Sequence, residues 1–266
     1  MPHTITTVNV NGIRAAVRKG MGKWLFESEA DIVCLQETRA SDDEMTKCLA
    51  PALDNGWLLT SAEPSQKGRN GVAILSRDAP LSVTVGFGDV EFDNSGRYLQ
   101  ARFDDVTVGS LYLPSGEVGT EKQQVKNRFL SAFGEHLSTL AASNDDVVVC
   151  GDWNIAHTEL DLKNWKGNRT KSGFLPHERA RIGDKLSGPW VDVARSLHPD
   201  VEGPYSWWSY RGKAFDNDAG WRIDYHLATA ELARRAESAV VERAQSYDER
   251  WSDHAPVTVR YRMPGE

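Results

Sequence analysis

Short apolar runs rich in Val, Ile and Leu, each closed by polar residues, recur along the chain at 5–10, 31–35, 72–76, 81–87, 98–103, 106–113, 146–150, 223–228, 238–243 and 256–261. Runs of this length and composition predict strands. A rhythm of three and four residues replaces them at 119–142, where Val125, Phe129, Leu130, Phe133, Leu137 and Leu140 recur, and predicts an amphipathic helix. Further helices are expected at 14–29 and 176–186. Many strands with interspersed helices and no regular βα alternation predict an α+β layered sandwich rather than a doubly wound sheet. No low-complexity linker divides the chain, so residues 1–266 are read as one domain. At 40% hydrophobic content, 266 residues suffice for a full core.

Polar residues stand where these runs end. Asn9-Val10-Asn11-Gly12 closes the first, Gln36-Glu37-Thr38 follows Ile32-Val33-Cys34-Leu35, and Gly151-Asp152-Trp153-Asn154 follows Val147-Val148-Val149-Cys150. Asp224 lies within Arg222-Ile223-Asp224-Tyr225, and Asp253-His254 precedes the last run. Strand ends are where a rigid scaffold converges distant side chains on one cleft. The two halves of the chain are both polar-tipped, which suggests an internal repeat without establishing one.

Composition sharpens this picture. The net charge of −7 sits badly with a polyanionic partner, but the charge is unevenly spread. Lys163 to Arg181 holds Lys163, Lys166, Arg169, Lys171, Arg179 and Arg181 against the single acid Glu178, and Gly12 to Lys23 has four basic residues and no acid. Either segment is a solvated face or a phosphate-contacting one; their place beside the polar tips favours phosphate. Cys34, Cys48 and Cys150 have no paired spacing, so buried thiols in a reducing compartment are expected, not a disulfide frame or a zinc site. No secretory leader pattern opens the sequence and no apolar run approaches the ~18 residues of a membrane span, so a soluble, cytoplasmic protein is expected.

Phosphodiester hydrolysis requires an activated water, a cation for developing negative charge, and help for the leaving oxygen. Glu37, at the mouth of a fully apolar run, suits a hard ion such as Mg²⁺; its plain alternative is an acid facing water. Asp152 and Asn154, two apart in extended chain, project to one side and can orient a water, though an Asx turn would look the same. Asp253-His254 pairs an imidazole with a carboxylate, and Tyr112 closes a run with a phenol; a turn and ordinary packing are the alternatives. Their joint position at run ends is stronger than any one of them.

Taken together, Asn9-Val10-Asn11-Gly12-Ile13-Arg14-Ala15, Leu35-Gln36-Glu37-Thr38, Gly151-Asp152-Trp153-Asn154-Ile155-Ala156-His157, Gly220-Trp221-Arg222-Ile223-Asp224-Tyr225 and Ser252-Asp253-His254-Ala255-Pro256-Val257 closely resemble the exonuclease III family of abasic-site endonucleases, in order, from about residue 4 to residue 261. The resemblance implies a four-layered α/β sandwich, two mixed sheets face to face with helices outside. It also implies Mg²⁺- or Mn²⁺-dependent cleavage of duplex DNA 5′ to an abasic site, with 3′ to 5′ exonuclease and 3′-end-cleaning activity, by a monomer.

By position, Glu37 matches the principal metal ligand, with Asn9, Asn11 and Asp253 near the metal; some members carry Asp where Asn11 stands. Asp152 matches the acid that activates the attacking water, and Asn154 the amide that holds phosphate and nucleophile. Asp224 matches the acid that orients His254 on the scissile phosphate, where Tyr112 adds its phenol. Trp207, Trp221 and Ile223 match a pocket for a flipped, base-less sugar, and Asn164, Asn168, Lys171 and Arg222 match DNA contacts. Glu117, in Ser115-Gly116-Glu117, departs from relatives that present basic groups there. Phosphoesterases of the same layout acting on lipid or inositol phosphates are the enzymatic alternative, which the basic segment and the tryptophans disfavour. A non-catalytic DNA-binding module would not need Glu37, Asp152, Asp224 and His254 at once.

Overall fold

The computed structural model describes residues 3–143 and 145–262. Twelve strands and eight helices follow one another as β1 (His3–Asn9), α1 (Ile13–Ala16), α2 (Gly22–Glu27), β2 (Ile32–Gln36), α3 (Asp42–Asp54), β3 (Leu58–Ala62), β4 (Val72–Ser76), β5 (Ser82–Val85), β6 (Tyr98–Arg102), β7 (Thr107–Tyr112), α4 (Glu121–Ala142), β8 (Val147–Asp152), α5 (Trp165–Asn168), α6 (Pro176–Leu186), β9 (Trp190–Asp192), α7 (Val193–Leu197), β10 (Asp224–Thr229), α8 (Ala230–Ala233), β11 (Ala236–Val241) and β12 (Val257–Tyr261). They build two six-stranded mixed sheets, β11-β12-β1-β2-β4-β3 and β5-β6-β7-β8-β10-β9. Among the described residues, only β1–β2 and β7–β8 pair in parallel.

The two sheets repeat one plan. β1-β2-β4-β3 and β7-β8-β10-β9 have the same order, the same parallel pair at the same place, and the same antiparallel neighbours. Each is extended by a hairpin, β5–β6 on β7 and β11–β12 on β1. The repeat suggested by the two polar-tipped halves is therefore present in the topology.

Four layers result. Ile5, Cys34, Ile74, Leu99, Val108, Val148 and Val259 meet between the sheets. Phe129, Phe133 and Leu137 of α4 cover the outer face of the second sheet, against Val147, Val149 and Leu227. Ile13, Met21, Leu25, Met45 and Leu49 cover the first, against Val8, Val33, Leu35 and Leu75. Burial on both faces explains why β2 and β8 read as unbroken apolar runs rather than alternating ones.

All ten predicted runs fall on strands, and the helices at 119–142 and 176–186 are α4 and α6. The expected helix at 14–29 is instead two short helices joined by a π-helical turn at Val17–Met21, because Gly20 takes φ +119, outside any helical conformation. Strands β3 and β9 and helix α3 were not predicted. α3 opens on a capping box, with Ser41 accepting from the Glu44 N–H and Glu44 reaching back, but carries Pro51 near its end. Cys34 and Cys150 are buried and Cys48 half-buried, all as free thiols. No helix among the described residues is long and apolar enough to cross a membrane.

Candidate active site

The polar tips meet at one edge of the sandwich because the register aligns them. Tyr112 stands opposite Asp152, and Asp152 opposite Asp224, so β7, β8 and β10 place three functional groups in one row. The facing sheet ends its central pair with Asn9 opposite Gln36. Close approach is possible because residue 151 is glycine: at φ +146, a Cβ there would lie 1.9 Å from the Leu111 carbonyl oxygen. Asn11, Glu37 and Asn154 all take left-handed φ near +50, turning the chain sharply as it leaves three strands. Strain of this kind costs about 1–3 kcal/mol per residue and is tolerated where surrounding structure dictates it.

Asp152 is the centre of the site. It is buried, and its Oδ1 accepts the Asn154 backbone N–H at 2.9 Å. Its Oδ2 accepts Asn9 Nδ2 at 2.9 Å and Asn154 Nδ2 at 3.3 Å. His254 Nδ1 bonds Asp224 Oδ2 at 2.8 Å, and its Nε2 lies 3.8 Å from Asp152 Oδ2. Burial pushes the Asp152 carboxyl up to about 7; the His254 charge works against this and Asp224 adds to it. Burial opposes the charge on His254, yet Asp224 and Asp152 together carry the imidazole up to about 10. His254 is thus an imidazolium at neutral pH, beside an acid poised to exchange a proton there.

Tyr112 donates its phenol to Glu37, whose other carboxylate oxygen pairs with Arg39 at 2.6 Å. Burial, with Glu37 and Asp152 nearby, holds the phenol well above its ordinary pKa, so it stays protonated. Asp253 accepts from Asn11 Nδ2 at 2.8 Å on one oxygen and from Trp207 Nε1 at 3.0 Å on the other. Trp207 and Trp221 are paired through their backbones, with rings 6.2 Å apart at 84°. They form one wall of a cleft of about 320 Å³ that Glu37, Tyr112, Asp152, Asn154, Ile223, Asp253 and His254 also line.

The donor set fits a cation at Glu37 better than at the imidazole. Asp152, Asp224 and His254 offer ligand atoms within 4.8 Å of one another. However, His254 Nδ1 is already bonded to Asp224, and the Asp152 carboxylate already accepts three protein N–H groups. Glu37 and Asn11 line the same cleft and carry hard oxygen donors. Asn9, expected beside the metal, instead spends its amide on protein: Oδ1 accepts the Asn11 N–H at 2.9 Å and Nδ2 goes to Asp152.

A family model described as the Endonuclease/Exonuclease/phosphatase family matches residues 6–254. The chain belongs to that family. This family member is 38% identical over 250 residues to an exodeoxyribonuclease of Bacillus subtilis, across 94% of this chain and 95% of that one. It is 34% identical over 256 residues to DNA repair nuclease APEX1 of Danio rerio, across 96% and 81%. Among solved structures, an AP endonuclease from Archaeoglobus fulgidus superposes with a TM-score of 0.88 at 29% identity, over 97% of this chain and 99% of that one. A 3′ phosphatase from Neisseria bound to product DNA hairpin does so with the same score and identity, over 98% and 99%.

The expected DNA contacts divide. Asn164 and Lys171 are exposed and Asn168 half-exposed, and Lys171 has no ion-pair partner among the described residues. Arg222 corrects the reading made from sequence: it is 1% exposed and held inside by Asp161 and Asp192, so it meets no DNA. The cause is strand alternation, which turns Trp221 and Ile223 to the cleft and Arg222 to the opposite side.

Several residues of this site escaped the sequence reading. Ser206 donates to Asp224 Oδ2 at 2.6 Å, Ser252 donates to the Asn9 carbonyl at 2.6 Å, and Arg39 pairs with Glu37. Lys126, fully buried, also lines the cleft. It lies three residues before Phe129 and four before Leu130, in phase with the apolar stripe of α4, where a lysine is out of place.

Proposed function

We propose that this chain is a Mg²⁺-dependent DNA repair nuclease that hydrolyses the phosphodiester 5′ to an abasic site in duplex DNA and also trims blocked 3′ ends. The observation that carries this reading is one cleft holding both a hydrolytic set, Glu37, Tyr112, Asp152 and His254, and an apolar wall of Trp207, Trp221 and Ile223. A wall of that kind accepts a base-less sugar turned out of the helix, where a phosphoinositol headgroup would leave its hydroxyls without partners.

Each group then has a role set by its surroundings. Asp152, with a pKa of about 7, takes the proton of the attacking water near neutral pH. Both N–H groups of the Asn154 amide are engaged, by the Leu113 carbonyl and Asp152, so the group it turns to the water is its oxygen, an acceptor. His254, charged and fixed by Asp224, presents Nε2–H to a phosphoryl oxygen, and Tyr112 turns its phenolic O–H from Glu37 to the same phosphate. A divalent cation held by Glu37, with Asn11 and Asp253 nearby, would supply further positive charge to the developing oxyanion. Among relatives of similar likeness are an AP endonuclease and a 3′ phosphatase, which supports one centre serving both internal sites and 3′ ends.

The test is incision of a duplex with one abasic analogue, run beside a recessed 3′ end, a 3′-phosphate, a phospholipid and an inositol phosphate. The abasic strand should be cut, EDTA should abolish cutting and Mg²⁺ should restore it. An intact duplex alongside hydrolysis of the lipid or inositol phosphate would overturn the assignment.

A further inference from the structure

Lys126, in the wall of the cleft, forms an ion pair at 2.9 Å with Glu178 behind it, their side chains 1% and 0% exposed. Such a pair adds little stability over apolar residues of the same volume, because desolvating both charges offsets their attraction. What it holds is more informative. Lys126 Nζ donates to the backbone carbonyl of Asn154 at 2.9 Å and contacts Ser172 at 3.4 Å, so all three of its protons have partners. Glu178 accepts the Gly173 N–H at 2.7 Å and the Leu175 N–H at 3.2 Å. Gly173 lies under the Trp221 ring: a Cβ on it would meet Trp221 at 3.0 Å and the Asn154 carbonyl oxygen at 3.1 Å.

We infer that Lys126 and Glu178 are positioning residues that lock the left-handed turn at Asn154 and the segment under Trp221 to one another, so that the sugar-binding wall and the hydrolytic groups keep a fixed separation. The hydrogen bonds of the pair go to protein groups, and it acts through Asn154 and Gly173. Helix α4 supplies the lysine and α6 the acid, so the packing of two outer helices is transmitted to the cleft. Neither residue belongs to the sequence motifs that mark the site.

The inference rests on the proposed hydrolytic function. Its test is the full chain with Mg²⁺ carrying Lys126→Met and Glu178→Gln together, which leaves no charge unpaired and keeps an acceptor for the Gly173 amide. Thermal unfolding should stay close to wild type, while kcat on the abasic duplex falls on the order of tenfold to a hundredfold, the scale of a displacement of about 1 Å. KM should hold within about twofold, since phosphate contacts remain. Glu178→Asp alone, which keeps both charges but shortens the reach to the Gly173 amide, should lose less, and it carries the test if the double variant does not fold. A folded variant with wild-type kcat overturns the positioning role while leaving the nuclease assignment standing. If the wild type cuts another phosphoester and not the abasic duplex, the assignment fails while the positioning role is read on that substrate; if it hydrolyses none, both fall.

Discussion

Replacing Arg222 by Met is the sharpest perturbation the structure offers, because sequence and structure assign the residue opposite roles. Its guanidinium bonds Asp161 through Nε at 2.7 Å and grips Asp192 with both terminal nitrogens, at 3.0 and 2.6 Å. Asp161 is also held by Arg195 at 2.5 Å. Burial opposes the Asp161 charge, but the two arginines prevail and keep its carboxyl far below the usual carboxylate range. Removing one member of a buried pair costs about 3–5 kcal/mol. Asp161 keeps Arg195, and Asp192 keeps the Arg195 N–H that caps α7, so the low end, about 3 kcal/mol, is expected.

In a chain of this size that lowers the thermal midpoint by roughly 6–12 °C. The pH dependence follows from the depressed folded-state pKa of Asp161. Its stabilisation is present above the unfolded value near 4 and is lost as pH falls further into acid, so the gap between wild type and variant should narrow there. Thermal melts at pH 7 and pH 3 measure this, and titration of DNA binding with salt completes the experiment. A melting point unchanged by the substitution, with a salt slope shallower by about one, would show Arg222 on a phosphate and refute the argument.

Asp152→Asn should lower kcat on the order of a hundredfold to ten-thousandfold with DNA affinity retained, checked by single-turnover incision beside a binding assay; equal turnover would remove it as the base. Lys171→Ala should make the salt slope of DNA binding shallower by about 0.9, the value for one phosphate contact. His226 lies between the sheets, bonded to the Val257 carbonyl and beside Cys150, and burial lowers its pKa to about 4. Above pH 6.5 both states are neutral; below it the unfolded chain takes a proton that the folded one refuses until about pH 4. His226 therefore costs about 3 kcal/mol of stability between pH 6.5 and 4. Urea unfolding at pH 7 and pH 4 should show wild type losing that much more than His226→Phe.

The fold was legible where a strand is central. β2, β7 and β8 are buried on both faces and read as apolar runs, whereas β3 has mostly half-exposed positions and β9 spans three residues, so neither carries a period. Pro51 hid α3 although Ser41 and Glu44 announced its start. The site was legible as a set of side chains at strand ends, and the cleft gathers Glu37, Tyr112, Asp152, Asn154 and His254. What sequence could not show is how each one is supported, since a partner such as Ser206 for Asp224 or Lys126 for Asn154 comes from an unrelated element. Arg222 stands between two cleft residues in sequence, yet the alternation of extended chain turns its side chain the other way, onto Asp161 and Asp192.

The two sheets repeat one plan, but the active site does not divide between them evenly. The first half supplies Asn9, Asn11 and Glu37, and the second Tyr112, Asp152, Asn154 and Asp224. His254 arrives only when β12 returns to lie against β1, with Tyr261 opposite His3. Seen from the ribosome, the first strand made must therefore wait for a partner synthesised some 250 residues later. Contacts so distant in sequence slow folding. A synthesis product that stops before residue 250 carries Glu37 and Asp152, yet not the imidazole of His254 that packs beside Asp152. The topology thereby leaves the cleft incomplete until the last strand is in place.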